Sequence, residues 1–143
     1  MSLEGVTVTF AEPGLYFPIV SVTDTGNAVF TDSAIVQVVD IAQLDAILTS
    51  KWNSMKSALR SGDTAGAASY IISSKRAAYQ TLFNNLTIPF AGIDQMLGSI
   101  TYQAVKGLEI EYEMLMNDGP DGDVSYLVLF SLDEDGVWRV SFF

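Results

Sequence analysis

Residues 40–62 read DIAQLDAILTSKWNSMKSALRSG, and their periodicity decides the fold. Ile41, Leu44, Leu48, Trp52, Met55 and Leu59 recur at spacings of three and four, so an α-helix gathers them into one apolar stripe. Asp40 followed by Gln43 matches a capping box, and Ser61-Gly62 supplies a stop. Upstream of Asp40 the period is that of a strand. Val6, Val8 and Phe10 alternate with Thr7 and Thr9, and two longer β-patterned runs follow over 15–23 and 28–39. Asp40 is therefore read as a boundary, with a β segment over 1–40 and an α+β domain over 41–143. Forty residues of strand do not enclose a core, so the opening segment is expected to be the closing part of a β domain and the chain a piece of something longer.

Within the first segment, Glu12-Pro13-Gly14 forms a turn, and Pro18 inside the second run points to an edge or a bulge. Asp24-Thr25-Gly26-Asn27 is hairpin chemistry, because Asp, Asn and Gly tolerate the positive φ such turns demand. The run Glu12-Pro13-Gly14-Leu15-Tyr16, then Val20-Ser21-Val22-Thr23-Asp24-Thr25-Gly26-Asn27 and a closing Ala34-Ile35-Val36-Gln37-Val38, resembles the last strands of a PKD-type or related bacterial Ig-like repeat. The resemblance covers about 35 residues, and the family's first strands would lie before Val6.

After the long helix, Asp63 is placed to cap a second, Ala-rich helix through Ile72, and Ser73 or Ser74 a third to about Asn84. That third helix carries Tyr79, Leu82, Phe83 and Leu86 on its buried side, and Pro89 ends it. A short turn over 93–97 closes at Gly98. Leu108, Ile110, Tyr112, Met114 and Met116 then face one way and Glu109, Glu111 and Glu113 the other, the alternation of a sheet with one packed and one wet face. Val124–Leu132 is apolar on both faces, as in a central or double-covered strand, and Asp133-Glu134-Asp135-Gly136 turns the chain into a last strand over 137–143. Helices packed on a four-stranded antiparallel sheet give an α+β domain. Trp52 and Leu59, Ser61-Gly62-Asp63, Tyr79 with Phe83, and the ending Phe130-Ser-Leu-Asp-Glu-Asp-Gly136-Val-Trp138-Arg-Val140 resemble the nuclear transport factor 2-like superfamily, in particular its bacterial extracytoplasmic branch related to the SnoaL and ketosteroid isomerase folds. The resemblance implies a curved sheet wrapped by helices around a conical pocket. It does not fix an activity.

Composition removes whole classes of function. The net charge is −10, half of it from Glu4, Glu12, Asp24, Asp32 and Asp40, which have no basic residue among them. Nucleic acid and anionic membrane surfaces are poor partners for such a chain. Zero cysteine excludes disulfides, thiolate catalysis and zinc-thiolate sites; zero histidine deletes the usual base near neutral pH and the commonest metal ligand. No run approaches the ~18 apolar residues of a membrane span. Met1-Ser2-Leu3 has no basic n-region and no apolar h-region, so no signal peptide is expected within these residues.

No catalytic residue, metal site or cofactor is expected. Tyr102, Tyr112 and Tyr126 fall on successive strands and are the candidate ligand-pocket residues, with Asp94 at the mouth. The ordinary reading of the phenols is ring burial with the hydroxyl at the rim, and of Asp94 and Asp63 helix capping. The Glu109–Glu111–Glu113 stripe reads as a solvated face, with a docking strip for a basic partner as its alternative. The oxygens over 117–123 and at Asp133, Glu134 and Asp135 read as acidic turns rather than calcium loops, lacking the EF-hand spacing. Asn85-Leu86-Thr87 is a glycosylation sequon only in a eukaryotic secretory setting. The expectation is a non-catalytic binding or assembly domain of a bacterial surface or secreted protein, extracytoplasmic and homodimeric, with a small hydrophobic ligand as a further partner. The alternative is a SnoaL- or ketosteroid-isomerase-like enzyme acting on a small hydrophobic substrate, which would need an inward Asp paired with Tyr hydroxyls.

Overall fold

Asp40 caps the long helix as its position implies: its Oδ1 accepts the backbone N–H groups of Ala42 and Gln43 at 2.9 and 3.1 Å. Helix α1 (Ile41–Arg60) follows. The structure, a computed structural model, describes residues 7–86, 90–117 and 122–143. The chain divides into two units, and the division falls between Leu44 and Asp45, in the first turns of α1.

The first unit is built from two antiparallel pairs, β1 (Gly14–Tyr16) with β4 (Val36–Val38) and β2 (Ile19–Thr23) with β3 (Val29–Ser33). The single strand expected over 15–23 is two, because Pro18 has no N–H to give a ladder; its carbonyl instead accepts the Ala34 N–H at 3.1 Å. The run expected over 28–39 is divided likewise. The turn between β2 and β3 matches its sequence: Asp24 Oδ1 accepts the N–H groups of Gly26 and Ala28, and Asn27 sits at φ +64°. Thr7–Phe10 forms no strand, in contrast to the alternation of its residues. Phe10 instead lays its ring 4.4 Å from that of Tyr16, whose hydroxyl donates to the Glu12 carbonyl. Val6 lies outside the described residues. Every residue of β2 and β3 is exposed.

The second unit is α+β. Its sheet runs β5 (Ile100–Lys106), β6 (Glu109–Asn117), β7 (Asp123–Leu132), β8 (Trp138–Phe142), each strand antiparallel to the next in chain order. From α1, Leu48, Trp52, Met55 and Leu59 are wholly buried; from the sheet, Ile110, Tyr112, Val128, Phe130 and Val140 complete the core. Helix α2 (Thr64–Ala68) is capped by Asp63, whose Oδ1 accepts the Gly66 N–H at 2.8 Å. It stops before Ile72 because the next residues are used by the sheet. Val140 donates its N–H to the Tyr70 carbonyl at 2.9 Å and accepts from Ile72 at 3.0 Å, so the chain at Ile71 lies parallel along the outer edge of β8.

Helix α3 (Arg76–Asn84) follows a turn, and a 3₁₀ turn at Phe90–Gly92 leads into α4 (Ile93–Met96). Besides Ile41, which is exposed in the first turn of α1, two apolar positions depart from the expected stripes. Phe83 is buried but Leu82 is 53% exposed, since adjacent helical residues diverge by about 100°. Leu108 is 66% exposed because it belongs to the turn between β5 and β6, and the buried stripe begins at Ile110. Strand β7 is central, as its composition indicated, yet its outer face is open, with Leu127 exposed. Pro89 and the middle of the acidic run over 117–123 lie outside the described residues.

Candidate functional site

On the inner face of the sheet the pleat places Tyr112 opposite Tyr102 on β5 and Val128 on β7. The two phenol rings meet edge to face at 6.1 Å, and Tyr112 meets Phe130 in the same way at 5.4 Å. Tyr112 is fully buried and Tyr102 half-buried. Tyr126 lies one pair further along, opposite Met114, and is exposed.

The Tyr112 hydroxyl donates to Asp45 Oδ1 at 2.9 Å, across the layer between sheet and helix. Asp45 is half-buried, and at 3.4 Å the same oxygen accepts the Thr49 hydroxyl. Burial, first, and then the Asp45 carboxylate hold the phenol well above its ordinary range, so Tyr112 stays a donor at any physiological pH. Reading the sequence missed Asp45. The signal was there: it lies three residues before Leu48 and seven before Trp52, a carboxylate on the apolar side of α1.

Asp94 is not brought to this group, nor does it cap α4, whose N-cap is Gly92 without a side-chain bond. It pairs with two cations of α1, Lys56 Nζ at 2.7 Å and Arg60 Nε at 3.0 Å. The hydrogen bond from Lys56 leads the effects that hold its carboxyl below the usual range. Lys56 is itself buried and donates to the Gly98 carbonyl at 3.3 Å, where Trp52 Nε1–H also donates at 2.9 Å. Gly98 is required there, for a Cβ would sit 2.8 Å from the Leu115 carbonyl oxygen.

The glutamates of β6 lie on the outer face, each with a partner. Glu113 accepts from Gln103 and Ser125, Glu111 pairs with Lys106 at 2.7 Å, and Ser131 donates to Glu109 at 3.4 Å. In the last hairpin, Asp133 accepts the N–H and hydroxyl of Ser73 and pairs with Arg139, while Arg139 also reaches Asp135 with both Nη groups. The Ser73 hydrogen bond is the largest of the effects that bring the Asp133 carboxyl down to about 2. Asp133 and Asp135 thus hold an arginine, and Asp133 fastens the hairpin to Ser73 in the turn before α3. Among the described residues no group of three or more acidic side chains is arranged to hold a metal ion, and no helix is long and apolar enough to cross a membrane. No protein-family model matches the chain, and neither a curated protein nor a solved structure matches it.

Proposed function

We propose that the chain is a non-catalytic assembly module of a larger bacterial surface or secreted protein, in which a nuclear transport factor 2-like α+β domain follows the closing strands of a PKD- or Ig-like domain. The β2–β3 ribbon carries this reading. Ile19, Val20, Val22, Val29 and Phe30 are each between 46% and 71% exposed. A two-stranded hairpin is marginal by itself in water, and exposed strands with apolar side chains take partners. The ribbon's only charges are Asp24 and Asp32, so little like-charge repulsion opposes a second copy related by a twofold axis. The module is a homodimer through this ribbon. On the α+β side, the filled interior supports a role without turnover, since Trp52, Tyr112 and Phe130 occupy the space between helix and sheet.

Val22 and Phe30 are direct cross-strand partners, so Val22→Asp with Phe30→Asp places two carboxylates in the proposed interface. Light scattering is expected to give a dimer for the parent chain and a monomer for the double variant, with helical circular dichroism unchanged. A monomeric parent would end the assembly reading; a dimer that survives both substitutions would take the ribbon out of the interface.

One observation favours the second reading, a SnoaL- or ketosteroid-isomerase-like enzyme: Asp45 and the Tyr112 hydroxyl form the carboxylate–phenol pair that proton transfer beside a carbonyl would use. The test is formation of the conjugated enone from a small cyclic β,γ-unsaturated ketone. The expected rate equals that of buffer. A rate above buffer that Asp45→Asn abolishes would replace the assembly reading by the enzymatic one.

A further inference from the structure

Where the end of α1 meets α3, α4 and the C-terminal residue, the side chains leave a recess of about 110 Å³. Its walls are Leu59, Phe83, Ile93, Leu97 and Phe143, and among the described residues no polar atom faces it. Leu59, Phe83 and Ile93 are buried to within 2% of complete, so the floor is rigid core, while Leu82 and Met96 at its edge are 53% and 39% exposed and leave a way in. The recess is separate from the Asp45–Tyr112 pair: none of Asp45, Tyr102, Tyr112, Tyr126 or Asp94 lines it.

Its chemistry selects its occupant. A water molecule needs two to four polar partners, and this recess offers none. A cavity of about 150 Å³ lined by Leu, Ile and Phe stays dry and takes benzene, and about 110 Å³ is of the same order. A charged or hydrogen-bonding group would enter at the cost of its full hydration, with nothing to replace it. The Phe83 and Phe143 rings lie 6.4 Å apart at 20°, near parallel, which favours a flat occupant against one of their faces.

We propose that this recess is a binding site for a small, neutral, apolar molecule, an unsubstituted aromatic ring or an alkyl group of comparable size. The inference does not rest on the assembly reading, because the site is complete within one chain.

Benzene is the probe, titrated into the full chain while the methyl resonances of Leu59, Ile93 and Leu97 are followed by NMR. Saturable shifts confined to these methyls and to Leu82, Leu86 and Met96 are expected. Shifts that grow linearly with benzene, or that spread evenly over the core methyls, would overturn the site. Met96→Trp, a substitution at the exposed edge, is expected to weaken the apparent affinity at least tenfold by plugging the opening. Leu82→Trp serves the same end if the first variant does not fold, and unaltered affinity in a folded plugged variant would also overturn the site. Repeating the titration on the Val22→Asp, Phe30→Asp chain separates the two proposals, since saturation there is expected whether or not the parent chain dimerises.

Discussion

Trp52→Ala is expected to lower the thermal midpoint of the α+β unit by on the order of 20 °C. The indole is wholly buried, meets Phe143 edge to face at 5.3 Å, and donates to the Gly98 carbonyl at 2.9 Å. Emptying so large a site costs about 3–5 kcal/mol, and a domain of about 100 residues loses roughly 4–8 °C per kcal/mol. Since the whole folding free energy of such a domain is about 5–15 kcal/mol, this one substitution removes a large share of it. Trp52→Phe keeps a ring but drops the N–H; the Gly98 carbonyl then retains Lys56 as donor, so the loss should be smaller, about 1–3 kcal/mol. Thermal unfolding followed by far-UV circular dichroism measures both. A Trp52→Ala midpoint within a few degrees of the parent would show that the helix–sheet interface is not the centre of this unit's stability.

Gly98→Ala comes next in size. In ordinary extended backbone this exchange stabilises by about 0.4–1 kcal/mol, because alanine has less freedom to lose on folding. Here the added Cβ would stand 2.8 Å from the Leu115 carbonyl oxygen and 3.5 Å from Met114 Cγ, and a backbone oxygen of a paired strand does not move aside cheaply. The expected outcome is a destabilisation of about 1–3 kcal/mol, read from the denaturant midpoint at unchanged slope. The sign is the test, because a neutral or stabilising Ala would mean that the chain passes Leu115 at a comfortable distance. Gly98 thereby joins two requirements: close approach to β6, and a carbonyl turned toward Trp52 and Lys56 of α1.

How much of this was legible in the sequence follows from how local each cause is. The stripe from Leu48 to Leu59, the Asp40 and Asp63 caps and the Asp24–Asn27 turn depend on neighbours within a few residues, and each stands where the residues imply. The alternation that turns Tyr112 inward and the three glutamates outward is equally local. Events decided by distant partners were not legible. Helix α2 gives up its expected last turn because Tyr70 and Ile72 find hydrogen bonds on Val140. A register shift between Tyr102 and Ala104 interrupts the pairing of β5 with β6 at Gln103, and nothing in that residue announces it. Asp94 reads as a cap until Lys56 and Arg60, two helices away in sequence, are beside it. For Asp45 the side of α1 it occupies is legible, but its partner, the Tyr112 hydroxyl of β6, is not.

The two margins of the four-stranded sheet have a consequence for how copies of this chain behave when crowded together. In the middle of β8 both backbone groups of Val140, which would help to template another strand, are already taken by Tyr70 and Ile72. Along β5 the irregularity at Gln103 breaks the even spacing that an incoming strand would have to match, and Lys106 adds a charge near the strand end. Open-ended stacking of sheets into fibres requires two receptive margins, one to give and one to accept. With one margin partly occupied and the other uneven, the α+β unit is a poor monomer for polymerisation.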